Sequence, residues 1–415
     1  MTEKNKPKFF YGYIIVLAGF GIQAVGCGIF VTYGVFFTPL LIEFGWMRAT
    51  LSGAASLSFL LLGFISIIVG RLCDRFGPRI VMTGCGIFLG LGYLLMSRVS
   101  AIWQLYLFYG VVVAMGASGL DVLPLSTVAR WFTKRRGMMS GILKVGAGSG
   151  TLIMPLVASW LILGYGWRTS YLILGSVAFI FIILAAQFLR RDPDEKGLAS
   201  YGADEANAGA NMVEEGFSLR EAVHLNQFWM LCTVCVLIFF CLDTIMVHIV
   251  PHAVDLGIPM TSAASVLAII GGVSMAGRVI MGSAGDRVGS RLAAIICFPI
   301  IAVALFWLQI AEGLWMLYLF AAVYGFAHGG FFALLSPLVA ELFGLKAHGV
   351  IFGMVIFSGA IGGCLGPVMV GYTFDITGSY QLGFLICALL AVTSFIIALW
   401  LRPTDSKALK SAGGI

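Results

Sequence analysis

Long apolar stretches dominate this chain. Phe9 to Leu41, Ala49 to Leu72 and Phe228 to Val254 are predominantly apolar, and each exceeds the ~20 residues a helix needs to cross a bilayer core. Lipid offers no partner for open backbone groups, so such stretches are expected to be helical. Only 11% of the 415 residues are charged, against ~25% in a typical soluble domain. Breaks at charged or Gly/Pro-containing turns divide the chain into twelve expected spans, near 10–40, 49–72, 79–97, 102–130, 137–164, 168–189, 227–254, 262–284, 291–310, 314–343, 348–372 and 379–401. The expected fold class is an all-α membrane protein of twelve helices embedded in a lipid bilayer.

The first span is too long for the h-region of a cleavable signal peptide, and no small-residue cleavage site follows it. The nine cysteines lie in apolar stretches. Neither a disulfide framework nor a metal site is expected of them. With the N-terminus placed inside, twenty Lys and Arg fall on the inner side, and only Arg48, Arg98 and Arg168 fall outside. This bias puts both termini and the long 190–226 connector in the cytoplasm of a multi-pass cell (inner) membrane protein. It also accounts for the net charge of +6 without a nucleic-acid partner.

The chain carries an internal repeat. Gly70-Arg-Leu-Cys-Asp74-Arg75-Phe-Gly77-Pro-Arg79 recurs as Gly282-Ser-Ala-Gly-Asp286-Arg287-Val-Gly289-Ser-Arg291, offset by 212 residues. At that offset Gly45 meets Gly257, Gly137 meets Gly349, Gly141 meets Gly353, Gly150 meets Gly362 and Pro155 meets Pro367. The expected division is an N-terminal six-helix bundle over 1–189, a cytoplasmic linker over 190–226, a C-terminal bundle over 227–403 and a tail over 404–415. Parallel halves of this kind hold a substrate near mid-membrane.

The repeated G-x-x-x-D-R-x-G-x-R segment resembles the signature of the major facilitator superfamily. At a helix junction Asp74, Arg75, Asp286 and Arg287 can form a cytoplasmic gate that closes in one conformation and parts in another, or a static anchor. Trp131-Phe-Thr-Lys-Arg-Arg-Gly-Met-Met-Ser-Gly141 and Gly166-Trp-Arg-Thr-Ser-Tyr-Leu-Ile-Leu-Gly175 resemble monocarboxylate transporters. Gln227-Phe-Trp229 and Val250-Pro251 resemble the related oxalate–formate exchangers. The resemblance implies transport by alternating access, with no enzyme activity and no cofactor, in a functional monomer.

Ionisable groups inside a membrane mark function by default. Arg278 lies eight residues before Asp286, ~12 Å inside the cytoplasmic helix end. A guanidinium pairs a carboxylate through two parallel hydrogen bonds, and the resemblance implies that this arginine holds the substrate. An ion pair with Asp243 or Asp121 is the structural alternative. Tyr324 and His328 share a face of the tenth span, and the resemblance implies substrate contacts there. His328 is also a candidate for proton coupling. Asp121 and Lys144 lie at similar depths and can pair, as a static bridge or as a proton-coupled one. Asp243, with His248 on nearby turns, suits a proton site or an outer polar pair.

The departures from the resembled families are specific. Val31 stands where those transporters carry a first-helix lysine, and Ser274 stands where they carry an aspartate before the eighth-helix arginine. The eleventh span, Val350-Ile-Phe-Gly-Met-Val-Ile-Phe-Ser-Gly, lacks the second cation of the exchangers. The resulting expectation is proton-coupled symport of a small carboxylate anion of lactate or pyruvate size. The alternative is organic-anion exchange without net proton movement. No G-x-x-x-x-G-K-[ST], G-x-S-x-G or H-E-x-x-H segment supports an enzyme or a nucleotide-driven pump.

Overall fold

Runs of Leu, Ile, Val and Phe with no water to compete for their backbone groups fold as helices from end to end. The structure, a computed structural model, describes residues 10–132, 136–198, 200–201, 216–344 and 347–402. Its long helices are α1 (Gly12–Phe44), α2 (Arg48–Phe76), α3 (Pro78–Met96), α4 (Ile102–Trp131), α5 and α6 within Arg136–Ala186, α7 (Asn226–Asp255), α8 (Met260–Val288), α9 (Ser290–Leu308), α10 (Leu314–Phe343), α11 (His348–Thr377) and α12 (Gln381–Leu399). Arg136–Ala186 is continuous in its hydrogen bonding but turns at Gly166, whose φ of 78° and ψ of 160° are not helical. That glycine divides α5 (136–165) from α6 (167–186) and gives the twelve spans expected from sequence.

The repeat extends from sequence to contacts. A Cβ on Gly150 of α5 would strike the Ala24 carbonyl of α1, and one on Gly362 of α11 would strike the Val236 carbonyl of α7. Both members of each pair are related by the same 212-residue offset. Gly146 packs on the Phe20 carbonyl, and its counterpart Ser358 donates a hydrogen bond to the Cys232 carbonyl (3.3 Å). Small residues let these backbones approach, the usual means of packing helices where lipid is as apolar as the side chains. The outer surface carries large exposed hydrophobics such as Leu17, Val303 and Trp400, as a lipid-facing surface requires.

The halves meet along α5 with α8 and α2 with α11. Gly271 of α8 lies against Thr151 and Leu152 of α5, and Gly63 of α2 lies against Ala360 of α11. At the end of the molecule that bears the 45–47 turn, called the outer end after the Lys/Arg bias, the halves are also in close contact. There Gly34 abuts the Met246 carbonyl and Gly371 abuts Ser52 and the backbone of Arg48 and Ala49. At the other end Arg75, Asp286 and Arg287 are exposed and make no ion pair among the described residues. The side chain of Asp74 lies outside the described residues. Arg79 donates instead to Gln187 Oε1 (2.8 Å), and the Arg291 backbone N–H donates to Glu341 (3.1 Å). Each gate segment is thus fastened to its own half in this conformation.

Candidate functional site

Three helices of the N-terminal half and one of the C-terminal half bring charge together in the membrane interior. Lys144 Nζ of α5 donates to Asp121 Oδ1 of α4 at 2.6 Å. Gln23 Nε2 of α1 donates to the same oxygen at 2.6 Å and lies 3.4 Å from the Leu120 carbonyl. The ion pair expected from depth alone is therefore present, with a third member that sequence reading passed over. Both ionic side chains retain substantial exposure, 35% for Lys144 and 55% for Asp121. The pair faces open space.

Arg278 of α8 reaches across the seam and donates from Nη1 to the Lys144 carbonyl at 2.5 Å. Its Nε is buried and has no hydrogen-bond partner. The structure thus replaces the ion pair with Asp121 or Asp243 considered from sequence by a single backbone contact. Arg278 makes no ion pair within 4 Å among the described residues. Asp121, Lys144 and Arg278 together carry one net positive charge, and part of the guanidinium fork is unspent. Cys27, facing the same charges from α1, is a small neutral neighbour that leaves room.

His328 of α10 stacks obliquely on Tyr324 (5.9 Å between rings) and edge-on to Phe332 (5.1 Å). Its Nδ1 is buried without a partner. Tyr324 is different. It has no exposed surface, and its hydroxyl donates to the Leu242 carbonyl at 3.2 Å. In this conformation it packs against His328 and is closed off from any ligand, where direct contact was expected from sequence.

Asp243 and His248, grouped from sequence, are separated in space. Five residues along a helix place them ~140° apart. Asp243 lies against Gly363 of α11, where only a glycine leaves space for its carboxylate, and it makes no hydrogen bond or ion pair among the described residues. His248 is fully buried at the outer end, between Ser52, Pro367 and Tyr380.

Cys232 and Cys235 stand at C-x-x-C spacing, yet both are buried free thiols on α7. Among the described residues no group of three metal-capable side chains gathers.

Comparison with known proteins agrees with this architecture. The profile described as Major Facilitator Superfamily matches residues 11–283 and 273–414. Monocarboxylate transporter 13 of Rattus norvegicus is 28% identical over 399 residues, covering 94% of this chain and 89% of the relative. Monocarboxylate transporter 4 of Gallus gallus is 27% identical over 398 residues, covering 93% and 82%. A crystal structure of a bacterial homolog to human lysosomal transporter Spinster, in inward-facing and occupied conformation, superposes with a TM-score of 0.75 over 97% of this chain and 99% of that one. At 15% identity it speaks to the fold alone. With two six-helix bundles, twelve apolar spans and a profile match along nearly its whole length, this chain belongs to the major facilitator superfamily of membrane transporters.

Proposed function

We propose that the chain is a proton-coupled symporter of small monocarboxylates. The observation that carries this reading is Arg278, a cation standing at the seam between the halves with its guanidinium only partly engaged. One carboxylate neutralises the single net positive charge of the Asp121–Lys144–Arg278 cluster, whereas a dianion leaves it negative. The relatives named as monocarboxylate transporters support the same substrate class. In this reading His328 meets a hydroxyl or keto group of the substrate; the lack of a partner at its Nδ1 supports that role.

A proton moving with the anion makes the transported pair neutral, so transfer is not opposed by the membrane potential. Four groups are candidates to carry it: Asp121, Lys144, Asp243 and His328. Asp121 is already held by Lys144 and Gln23. Asp243 has neither cation nor donor among the described residues, and an isolated carboxylate away from water is expensive in its charged form. We therefore place the travelling proton on Asp243. The Asp121–Lys144 bridge then responds to the substrate.

In proteoliposomes with an imposed pH gradient, radiolabelled lactate or pyruvate accumulates when the outside is acid and stops when the gradient is collapsed. Uptake that ignores the gradient but requires anion inside the vesicle would establish exchange and overturn the symport reading.

A further inference from the structure

The outer end of the seam holds a polar network, buried at Arg48, His248 and Tyr380 and open to solvent at Asp255 and Asp375, that the transport reading above does not use. Arg48, the first residue of α2, is only 7% exposed, although its sequence position places it in an outer loop. Its Nη2 donates to Asp255 of α7 at 2.8 Å and its Nη1 to the Tyr380 hydroxyl at 2.7 Å. The guanidinium lies 3.9 Å from the centre of the Phe374 ring. The backbone N–H groups of Arg48 and Ala49, which open α2, donate to Asp375 at 2.9 and 2.8 Å. Every one of these partners belongs to the C-terminal half, and Arg48 belongs to the N-terminal half.

The repeat shows that this is a specific feature and not an incidental surface pair. Asp255 corresponds to Glu43 and Tyr380 to Arg168 at the 212-residue offset. In the N-terminal half Glu43 is satisfied by Arg168 of its own half at 2.7 Å. In the C-terminal half a tyrosine replaces that arginine, so Asp255 must find its cation across the seam. Arg48 supplies it, where the repeat has Met260.

His248 extends the network, and its proton is assigned by its neighbours. Nε2 lies 2.8 Å from the Pro367 carbonyl, which can only accept, so Nε2 carries hydrogen. Nδ1 lies 3.1 Å from the Tyr380 hydroxyl. A guanidinium cannot accept a hydrogen bond, so Tyr380 accepts from Arg48 and is free to donate to Nδ1. Ser52 Oγ, 3.2 Å from Nε2, donates to the Arg48 carbonyl. The chain therefore runs in one direction, from Arg48 through Tyr380 and His248 to Pro367, with each hydrogen used once. It requires a neutral imidazole.

A second proton on Nδ1 breaks this order. The Tyr380 hydroxyl then faces a donor on each side, and its own hydrogen loses its acceptor. Two cations are also confined in one buried site. Around His248, α2 presents Arg48 and Ser52; α1 presents Phe37 and Tyr33, the latter bound to the Leu51 carbonyl (2.7 Å). From α7 come His252 and Asp255, from the end of α11 Asp375, and from the start of α12 Tyr380. Neither carboxylate is within ion-pair distance of His248, whose hydrogen-bond partners are Ser52, Tyr380 and Pro367, so neither takes the new hydrogen.

We propose that this network is a proton-labile lock on the outer mouth, opened by protonation of His248. The inference goes beyond the assignment of substrate and travelling proton and is tested without any substrate. Val247, 3% exposed where α7 meets Gly34 of α1, is replaced by cysteine in the full chain in lipid nanodiscs. Its reaction rate with a maleimide is divided by that of the exposed reference Ile310→Cys at the same pH, and the unsubstituted chain supplies the native-cysteine background. The ratio rises about tenfold between about pH 8 and about pH 5.5, the range in which an imidazole changes charge. Glutamine at 248 offers a donor to Pro367 and an acceptor to Tyr380, so His248→Gln keeps the ratio low at both values. Arg48→Gln keeps it high at both. Asp255→Asn serves the same purpose if Arg48→Gln does not give a monodisperse protein. A full pH response in His248→Gln, or a low ratio at both values in the monodisperse Arg48 or Asp255 variant, overturns the proposal.

Discussion

Replacing Arg278 with lysine tests the substrate reading most directly, because it keeps the charge and removes the fork. In the structure Nη1 is committed to the Lys144 carbonyl, while Nε is buried and unpartnered. A carboxylate can meet the guanidinium through two charge-assisted hydrogen bonds, of which an ammonium on a shorter stem keeps one. A hydrogen bond to a charged group contributes ~1.5–3 kcal/mol, so the loss corresponds to a rise in Kd of roughly ten- to a hundredfold. The backbone contact to Lys144 is also lost, but that carbonyl lies within α5 and keeps its helical donor. The fold should therefore survive. Calorimetric titration of wild type and Arg278→Lys with lactate, pyruvate, formate, acetate and oxalate reads the effect, and the melting temperature of the substrate-free proteins checks integrity. If Arg278→Lys binds monocarboxylates within about twofold of wild type, the arginine does not recognise the carboxylate.

Three further outcomes follow from the geometry. Asp121→Asn removes the 2.6 Å bridge to Lys144 but keeps an oxygen for Gln23; because the pair is partly exposed, stability changes by less than ~1 kcal/mol, while substrate uptake falls. A large drop in melting temperature would instead mark the bridge as structural. Asp243→Asn is expected to support anion exchange between the two sides of a proteoliposome while abolishing uphill accumulation driven by an imposed pH gradient; retained accumulation would move the travelling proton elsewhere. Gly362→Leu drives a side chain into the Val236 carbonyl, and overpacking of this kind costs ~1–3 kcal/mol or more. Size-exclusion profiles should show aggregation, and a well-folded, fully active Gly362→Leu would contradict the close α7–α11 approach.

The frame of the molecule was legible because its determinants are local or periodic. Span length follows from apolar runs, and the duplicated halves follow from glycines and prolines in fixed register. Even the Asp121–Lys144 bridge could be anticipated, since depth along a helix is a matter of counting residues from its end. What escaped depends on contacts between distant segments. Arg48 counts as one of three outer cations in sequence, yet it is buried by residues more than 200 positions away. Gln23 is one polar residue in an apolar helix and carries no periodic signal. Tyr324 lies one turn from His328, but helix rotation turns its hydroxyl toward Leu242. Depth can be read from a sequence more readily than azimuth.

The repeat and its breaks divide the work of the molecule. Where the halves must be rigid, counterparts match: Gly150 on Ala24 and Gly362 on Val236 are the same contact made twice. Where the halves must recognise each other or a ligand, the match fails. Arg278 faces Ser66 across the repeat, Lys144 faces Ile356, Asp121 faces Ala333 and Arg48 faces Met260. These breaks occur at different places between the halves, with Arg278 on the Lys144 carbonyl where α8 meets α5 and Arg48 on Asp255 at the outer end of α2. Both bonds join opposite halves, so a rotation that parts the outer mouth must sever the second and strain the first. A carboxylate that draws Arg278 away from the Lys144 carbonyl loosens the inner tie, and a proton at His248 loosens the outer one. Opening then needs no direct contact between the anion and the proton at His248, which is distinct from the travelling proton placed on Asp243. Each weakens a different tie between the same two halves, and opening is easiest when both are present.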